Sequence, residues 1–177
     1  MPRTLRDTFW QSAPRAAGRY QQWLTDRGSL TRRIEARAPG MTVKVVFQGR
    51  RRLHRDERFL ARAGGSAYAL TRDVLLYCGD TPVVYAHSVL APGSRGEGWR
   101  LMQGMGPRPL GAALFTDPRI RRLMLRQRKL GHGHELYRHA SHSVKPGSAP
   151  WARRSLFMVG NSPILVTEVF LPGVLTL

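Results

Sequence analysis

Gly79-Asp80 stands between two long β-rich runs, Ala67 to Cys78 and Pro82 to Leu90. A glycine and an acid between such runs are a hairpin turn signal, so the two strands are predicted to pair antiparallel. In the first strand alternate side chains share a face, which places Arg72 in a row with Tyr68, Leu70, Val74 and Leu76. Near the C-terminus the same anomaly recurs with the opposite sign. The strand Ile164 to Leu171 carries Glu168 on one face with Ile164, Val166 and Phe170. A buried acid costs several kcal/mol or stays protonated unless a partner or a ligand meets it. Two arrangements satisfy both residues. Side by side, Arg72 and Glu168 make a structural ion pair. Across a cavity, Arg72 offers a guanidinium fork to a carboxylate and Glu168 an acceptor to a hydroxyl, which suits a flat ring acid with a distal hydroxyl. Spacing alone leaves both open.

The rest of the chain reads as short helices and further strands. Arg15 to Arg27 is helical in pattern, with Tyr20, Trp23 and Leu24 on one stripe and Gly28 placed to stop it. Ser29 is positioned to cap a second helix, Leu30 to Arg37, before Pro39-Gly40. Thr42 to Gln48 alternates as a strand with one well-buried face, while Arg51 to Gly65 is charged and irregular with one helical turn at most. Trp99 to Gln103 is a short amphipathic segment and Leu110 to Phe115 a small apolar helix. Ile120 to Leu130 fits both helical and strand periodicity. His139 to Pro150 is loop-like, and Trp151 to Val159 is a strand that turns at Gly160-Asn161-Ser162 into the Glu168 strand.

With 177 residues the chain has the length of one domain able to bury a core without staples. A single domain over 1–177 is expected, with 1–18 a loosely ordered N-terminal extension. Cys78 is the only cysteine, so no intramolecular disulfide can form, and a reduced cytoplasm is expected. Charged residues and prolines interrupt every apolar run before membrane-spanning length, and no secretion signal follows Met1. The 29 Lys plus Arg against 11 Asp plus Glu leave +18, a surplus that attracts carboxylates, phosphates, nucleic acid or acidic lipid without choosing among them.

Other constellations are weaker. His132, His134, His139 and His142 crowd one segment, but no fixed geometry brings three ligands together, and no metal site is assigned. Pro92 to Gly98 precedes a short helix without dinucleotide or Walker spacing, and reads as a turn. The arginines between 119 and 128 lack any accompanying nucleic-acid motif and read as a solvated face. A nucleic-acid module would show steep salt dependence of binding; none is expected here. No GxSxG elbow points to a hydrolase.

Six blocks then carry a family resemblance. Trp23-Leu24-Thr25-Asp26-Arg27-Gly28-Ser29-Leu30-Thr31, Leu70-Thr71-Arg72-Asp73-Val74-Leu75-Leu76, Pro109-Leu110-Gly111, Leu114-Phe115, Trp151-Ala152-Arg153-Arg154-Ser155 and Leu165 to Pro172 resemble, in order, those of chorismate pyruvate-lyase. The resemblance implies an α+β fold, a single antiparallel sheet of about six strands with helices packed over it, enclosing a ligand cavity. It also implies conversion of chorismate to 4-hydroxybenzoate and pyruvate, the first committed step of ubiquinone biosynthesis, without metal or organic cofactor. By the same resemblance Arg72 is the product-carboxylate arginine and Glu168 meets the ring hydroxyl. Backbone groups at Leu110 and Leu30 help hold the carboxylate. His87 departs from the pattern, standing where arginine is expected, and residues 130–150 are longer than in compact members. The alternative is a non-catalytic aromatic-acid sensor, since ligand-binding domains of some bacterial regulators resemble this fold; the roughly twenty residues before the first block are too few for a winged DNA-binding domain. A monomer is expected, in weak contact with anionic membrane, a contact that co-sedimentation with anionic vesicles at low salt would test.

Overall fold

The structure, a computed structural model, describes residues 10–14, 16–143 and 148–177. The predicted hairpin is formed by β2 (Tyr68–Cys78) and β3 (Thr81–Leu90). Gly79 turns it with φ of 57°, a left-handed conformation that a residue without Cβ adopts freely. β1 (Thr42–Arg52) pairs outside β2. On the far side of β3 follow β6 (Ser162–Phe170), β5 (Trp151–Val159) and β4 (Arg121–Lys129). The order is β1-β2-β3-β6-β5-β4, with every neighbouring pair antiparallel. This is the expected class, one antiparallel six-stranded sheet with helices.

Residues directly opposite in antiparallel strands project to the same side, so the register assigns the two faces. The front face carries Leu70, Arg72, Val74 and Leu76 of β2, Val84, Ala86, Ser88 and Leu90 of β3, and Ile164, Val166, Glu168 and Phe170 of β6. Four short helices cover it. α1 (Gln21–Leu24) and α2 (Leu30–Glu35) bury Trp23, Leu24, Leu30 and Ile34 against Val74, Leu76, Val84 and Phe170. α3 (Glu97–Gln103) and α4 (Leu110–Thr116) lie in the connection from β3 to the distant β4, and bury Met102, Leu110 and Leu114 against Leu70, Leu90, Ile164 and Val166. On the back face sit α5 (Glu135–Ala140), a 3-10 segment Arg55–Ala63 and the buried Trp10.

Several local expectations are revised. The first helix spans only Gln21–Leu24, preceded by a 3-10 turn at Gly18–Tyr20, and it ends before Gly28. The Gly28 amide instead donates to Asp26 Oδ1 at 2.7 Å, an Asx-type turn. Ser29 does cap α2, its Oγ accepting from the Arg32 amide. β1 does not have the well-buried face that its alternation predicts. It is an edge strand, and a bulge at Val46 sets Val45 opposite Val74 on the front but Phe47 opposite Asp73 on the back. Val45 and Val46 remain exposed. Ile120 to Leu130 resolves as β4, and the charged stretch after β1 as the 3-10 segment. The segment 139–150 begins inside α5 and a 3-10 turn, Ser141–Ser143; residues 144–147 lie outside the described residues. So do residues 1–9 and 15 of the predicted extension; within it, Trp10 is buried and Gln11 bridges Gln127.

Candidate active site

Arg72 and Glu168 share the front face but are not a pair. Arg72 lies opposite Ser88, and Glu168 opposite Ala86, so the two are separated by the whole of β3 and by one step along it. Strand spacing puts their Cα atoms roughly 12 Å apart. Between them β3 presents only Ala86 and Ser88, two small side chains flanked by the larger Val84 and Leu90. β3 and β6 are the central strands, yet Ala86 and Glu168 both keep partial exposure where Val74, Ser88, Val166 and Arg153 are buried. Between its two apolar clusters the front face thus carries its smallest side chains, beside a partly exposed carboxylate.

Arg72 is 1% exposed. Its Nη2 donates to the carbonyl oxygens of Gly106 at 2.7 Å and Arg108 at 3.0 Å, both in the turn that leads into α4. Among the described residues no carboxylate pairs with it, and its buried Nε has no hydrogen-bond acceptor. Burial without a counter-charge lowers its pKa. A guanidinium in that condition is poised for an anion.

Glu168 has a cation, though not the one sequence spacing offered. Arg153, its register partner on β5, donates from Nε to Glu168 Oε2 at 2.5 Å, and from Nη1 to the carbonyls of Asp26 at 2.8 Å and Trp23 at 3.2 Å. Arg153 lies within the Trp151–Ser155 family block, but the block by itself assigns it no role. The signal was available, because adjacent arginines in one strand must project to opposite faces: Arg153 faces Glu168, and Arg154 faces the back.

Leu30 and Leu110, the remaining residues named from the sequence, are the first residues of α2 and α4. First-turn amides have no intrahelical acceptor. The two helix starts meet closely: a Cβ added to Gly111 would lie 3.2 Å from Thr31 Oγ1. Both leucine side chains are buried, one in each front-face cluster.

On the back face, directly behind Ala86 and Ser88, lies a second buried polar group. His87 bridges Asp73 (Nδ1 to Oδ1, 2.5 Å) and Glu57 (Nε2 to Oε1, 2.9 Å). Arg51 also meets Asp73, while Arg154 meets Asp56 at 3.0 Å and lies 3.8 Å from Glu57. Among the described residues His54, Glu57 and His87 have ligand atoms within 4.8 Å of one another, the spacing a metal ion needs. The charges favour a proton there instead. Burial pushes the His87 pKa down, but Glu57 and Asp73 more than reverse this and raise it to about 9. A protonated imidazole has no lone pair to donate, and three cations (Arg51, Arg154, His87) then face three carboxylates (Asp56, Glu57, Asp73). The four histidines that sequence density singled out do not converge. His134 meets Asp56, His132 packs on Tyr137, and His139 lies beside His54 and Tyr85.

A family model described as chorismate lyase matches residues 4–176 of this chain. A protein of Nitrosospira multiformis named "Probable chorismate pyruvate-lyase" is 44% identical over 172 residues, covering 95% of each chain. A protein of the same name from Aromatoleum aromaticum is 44% identical over 167 residues, covering 93% of this chain and 90% of that one. Among solved structures, a "possible transcriptional regulator" of Bacillus subtilis superposes with a TM-score of 0.50 at 12% identity, over 76% of this chain and 59% of the other. That likeness is one of fold.

Proposed function

This chain belongs to the chorismate lyase family, and we propose that it eliminates pyruvate from chorismate to leave 4-hydroxybenzoate, with Arg72 and Glu168 holding opposite ends of the ring. The observation that carries this reading is Arg72, fully buried with no carboxylate beside it among the described residues. A chain keeps an unpaired cation in its interior at a cost in stability, and a ligand carboxylate removes that cost.

The ring is assigned to the front face over Ala86 and Ser88, whose small side chains leave it the room between Arg72 and Glu168. Arg72 takes the ring carboxylate, helped by the first-turn amides of α4 and α2 at Leu110 and Leu30. At the other end Glu168 accepts from the 4-hydroxyl, using Oε1 because Oε2 is held by Arg153. In the reaction the bond between ring C3 and the ether oxygen breaks, the hydrogen at C4 leaves as a proton, and the departing enolpyruvate takes up a proton at its methylene carbon to become pyruvate. The ring gains aromaticity, so the driving force is in the substrate. The protein's part is to hold the reactive conformer and stabilise the charge that moves off the ring.

The test is purified protein with chorismate and no added metal, followed for 4-hydroxybenzoate and pyruvate in equal amounts. Glu168→Gln is expected to lower kcat by about 100-fold or more with the fold retained; full turnover in that variant would remove Glu168 from the chemistry. The shared fold with a regulator favours one second reading, an aromatic-acid sensor, which predicts 4-hydroxybenzoate binding with no turnover of chorismate. No helix among the described residues is long and apolar enough to cross a membrane. The arginine-rich edge strand β4 is the surface we assign to anionic membrane contact, made by a monomer.

A further inference from the structure

We propose that Arg153 is a positioning residue that makes the orientation of Glu168 and the seating of the α1–α2 turn a single event. The inference rests on the function assigned above and extends it to a residue that does not touch the substrate. One guanidinium, 1% exposed, spans both parts: Nε holds Glu168 Oε2, and Nη1 holds the carbonyls of Trp23 and Asp26. Its neighbours finish the same task. Gln127 Nε2 donates to the Leu24 carbonyl at 3.2 Å, and Arg122 Nη2 to that of Arg27.

The physical reason is the shortness of α1. A helix of four residues leaves its last carbonyls without intrahelical donors, and four carbonyls between residues 23 and 27 take theirs from side chains of β4 and β5. The turn is therefore held by the sheet rather than by its own helix. Because a guanidinium is planar and rigid, displacing the turn rotates the group that fixes Oε2. The same turn leads into Ser29 and the first amide of α2. Seating it therefore sets the Leu30 backbone and the Glu168 carboxylate together.

Three variants and one exchange measurement test this. Glu168 is faced by Arg153 from β5 and Arg122 from β4, and these two arginines are faced in turn by Asp26 and Arg27 of the turn. Arg153→Lys retains the charge but cannot span both partners; kcat is expected to fall about tenfold or more, with KM changed far less. Arg153→Gln also removes the cation and is expected to lower kcat further than Arg153→Lys, again with KM changed far less, a split that a general loss of fold would not produce. Should these variants fold poorly, Glu168→Ala supplies the measurement that needs no turnover: amide exchange at residues 23–31 is expected to accelerate while that of α3 and α4 stays unchanged. An unchanged kcat in folded Arg153→Gln, or unaltered exchange at 23–31 in Glu168→Ala, overturns the proposal. A wild type inert toward chorismate would instead overturn the function, and the exchange measurement would still be readable.

Discussion

Two arginines in this sheet are equally buried and differ only in their company. Arg72 on the front is 1% exposed and Arg154 on the back 0%. Arg154 donates to Thr167 Oγ1 at 2.9 Å, meets Asp56 Oδ2 at 3.0 Å, lies 3.8 Å from Glu57 and stacks 4.0 Å above Trp10. Replacing it by methionine, similar in length and apolar, takes from the buried Asp56 and Glu57 one of the cations that hold them, which costs about 3–5 kcal/mol. Arg72→Met deprives no carboxylate among the described residues. It forfeits two hydrogen bonds to carbonyls of the exposed residues Gly106 and Arg108, at about 1 kcal/mol each, and water can replace the lost donor there. Relief from burying a lone cation offsets part of that loss. Its net cost is expected at about 0–2 kcal/mol, below that of Arg154→Met. Ligand affinity should rank them the other way. Losing a charge-assisted carboxylate contact at Arg72 is expected to weaken 4-hydroxybenzoate binding by about 100-fold or more, whereas folded Arg154→Met should bind within a few-fold of wild type. Urea unfolding of the ligand-free proteins and calorimetric titration of each with 4-hydroxybenzoate give both numbers. Equal destabilisation by the two variants, or unweakened binding by Arg72→Met, would refute the claim that Arg72 is kept for a ligand.

Two further outcomes follow from the geometry. His87 has a folded pKa of about 9 against an ordinary 6.5, because Glu57 and Asp73 outweigh the effect of its burial; a raised pKa means that its contribution to stability is complete below 6.5 and drains away as pH rises through 9. Thermal midpoints from pH 6 to 10 should therefore fall in the wild type and stay flatter in His87→Arg, which remains charged throughout; an identical alkaline fall in both would move the effect to other groups. Ser88 is buried on the front face opposite both Arg72 and Val166. If the space above it is the ring site, Ser88→Leu fills it with little loss of stability but abolishes 4-hydroxybenzoate binding. Overpacking of an already filled core would instead cost about 1–3 kcal/mol, and a destabilised variant that still binds would place the ring elsewhere.

What the chain by itself determined is everything set by nearest neighbours along it. The hairpin at Gly79-Asp80, the cap at Ser29 and the strand alternation that isolates Arg72 and Glu168 in apolar rows all depend on residues a few positions apart. So did the family blocks. The tertiary structure decided what the odd residues meet. Arg72 and Glu168 stand on the same face yet never touch, because β3 lies between their strands, and strand order cannot be read from alternation. Glu168 finds Arg153 across a β5–β6 register set by the turn at Gly160. His54, Asp56 and Glu57 fall in a charged segment and become a buried charge network only because the 3-10 segment folds onto the back of the sheet. The bulge at Val46 reverses a row that looked continuous. Local propensities act over one turn or one pleat, whereas polar pairing in a core joins residues 15 to more than 100 positions apart. Only the assembled sheet supplies that proximity.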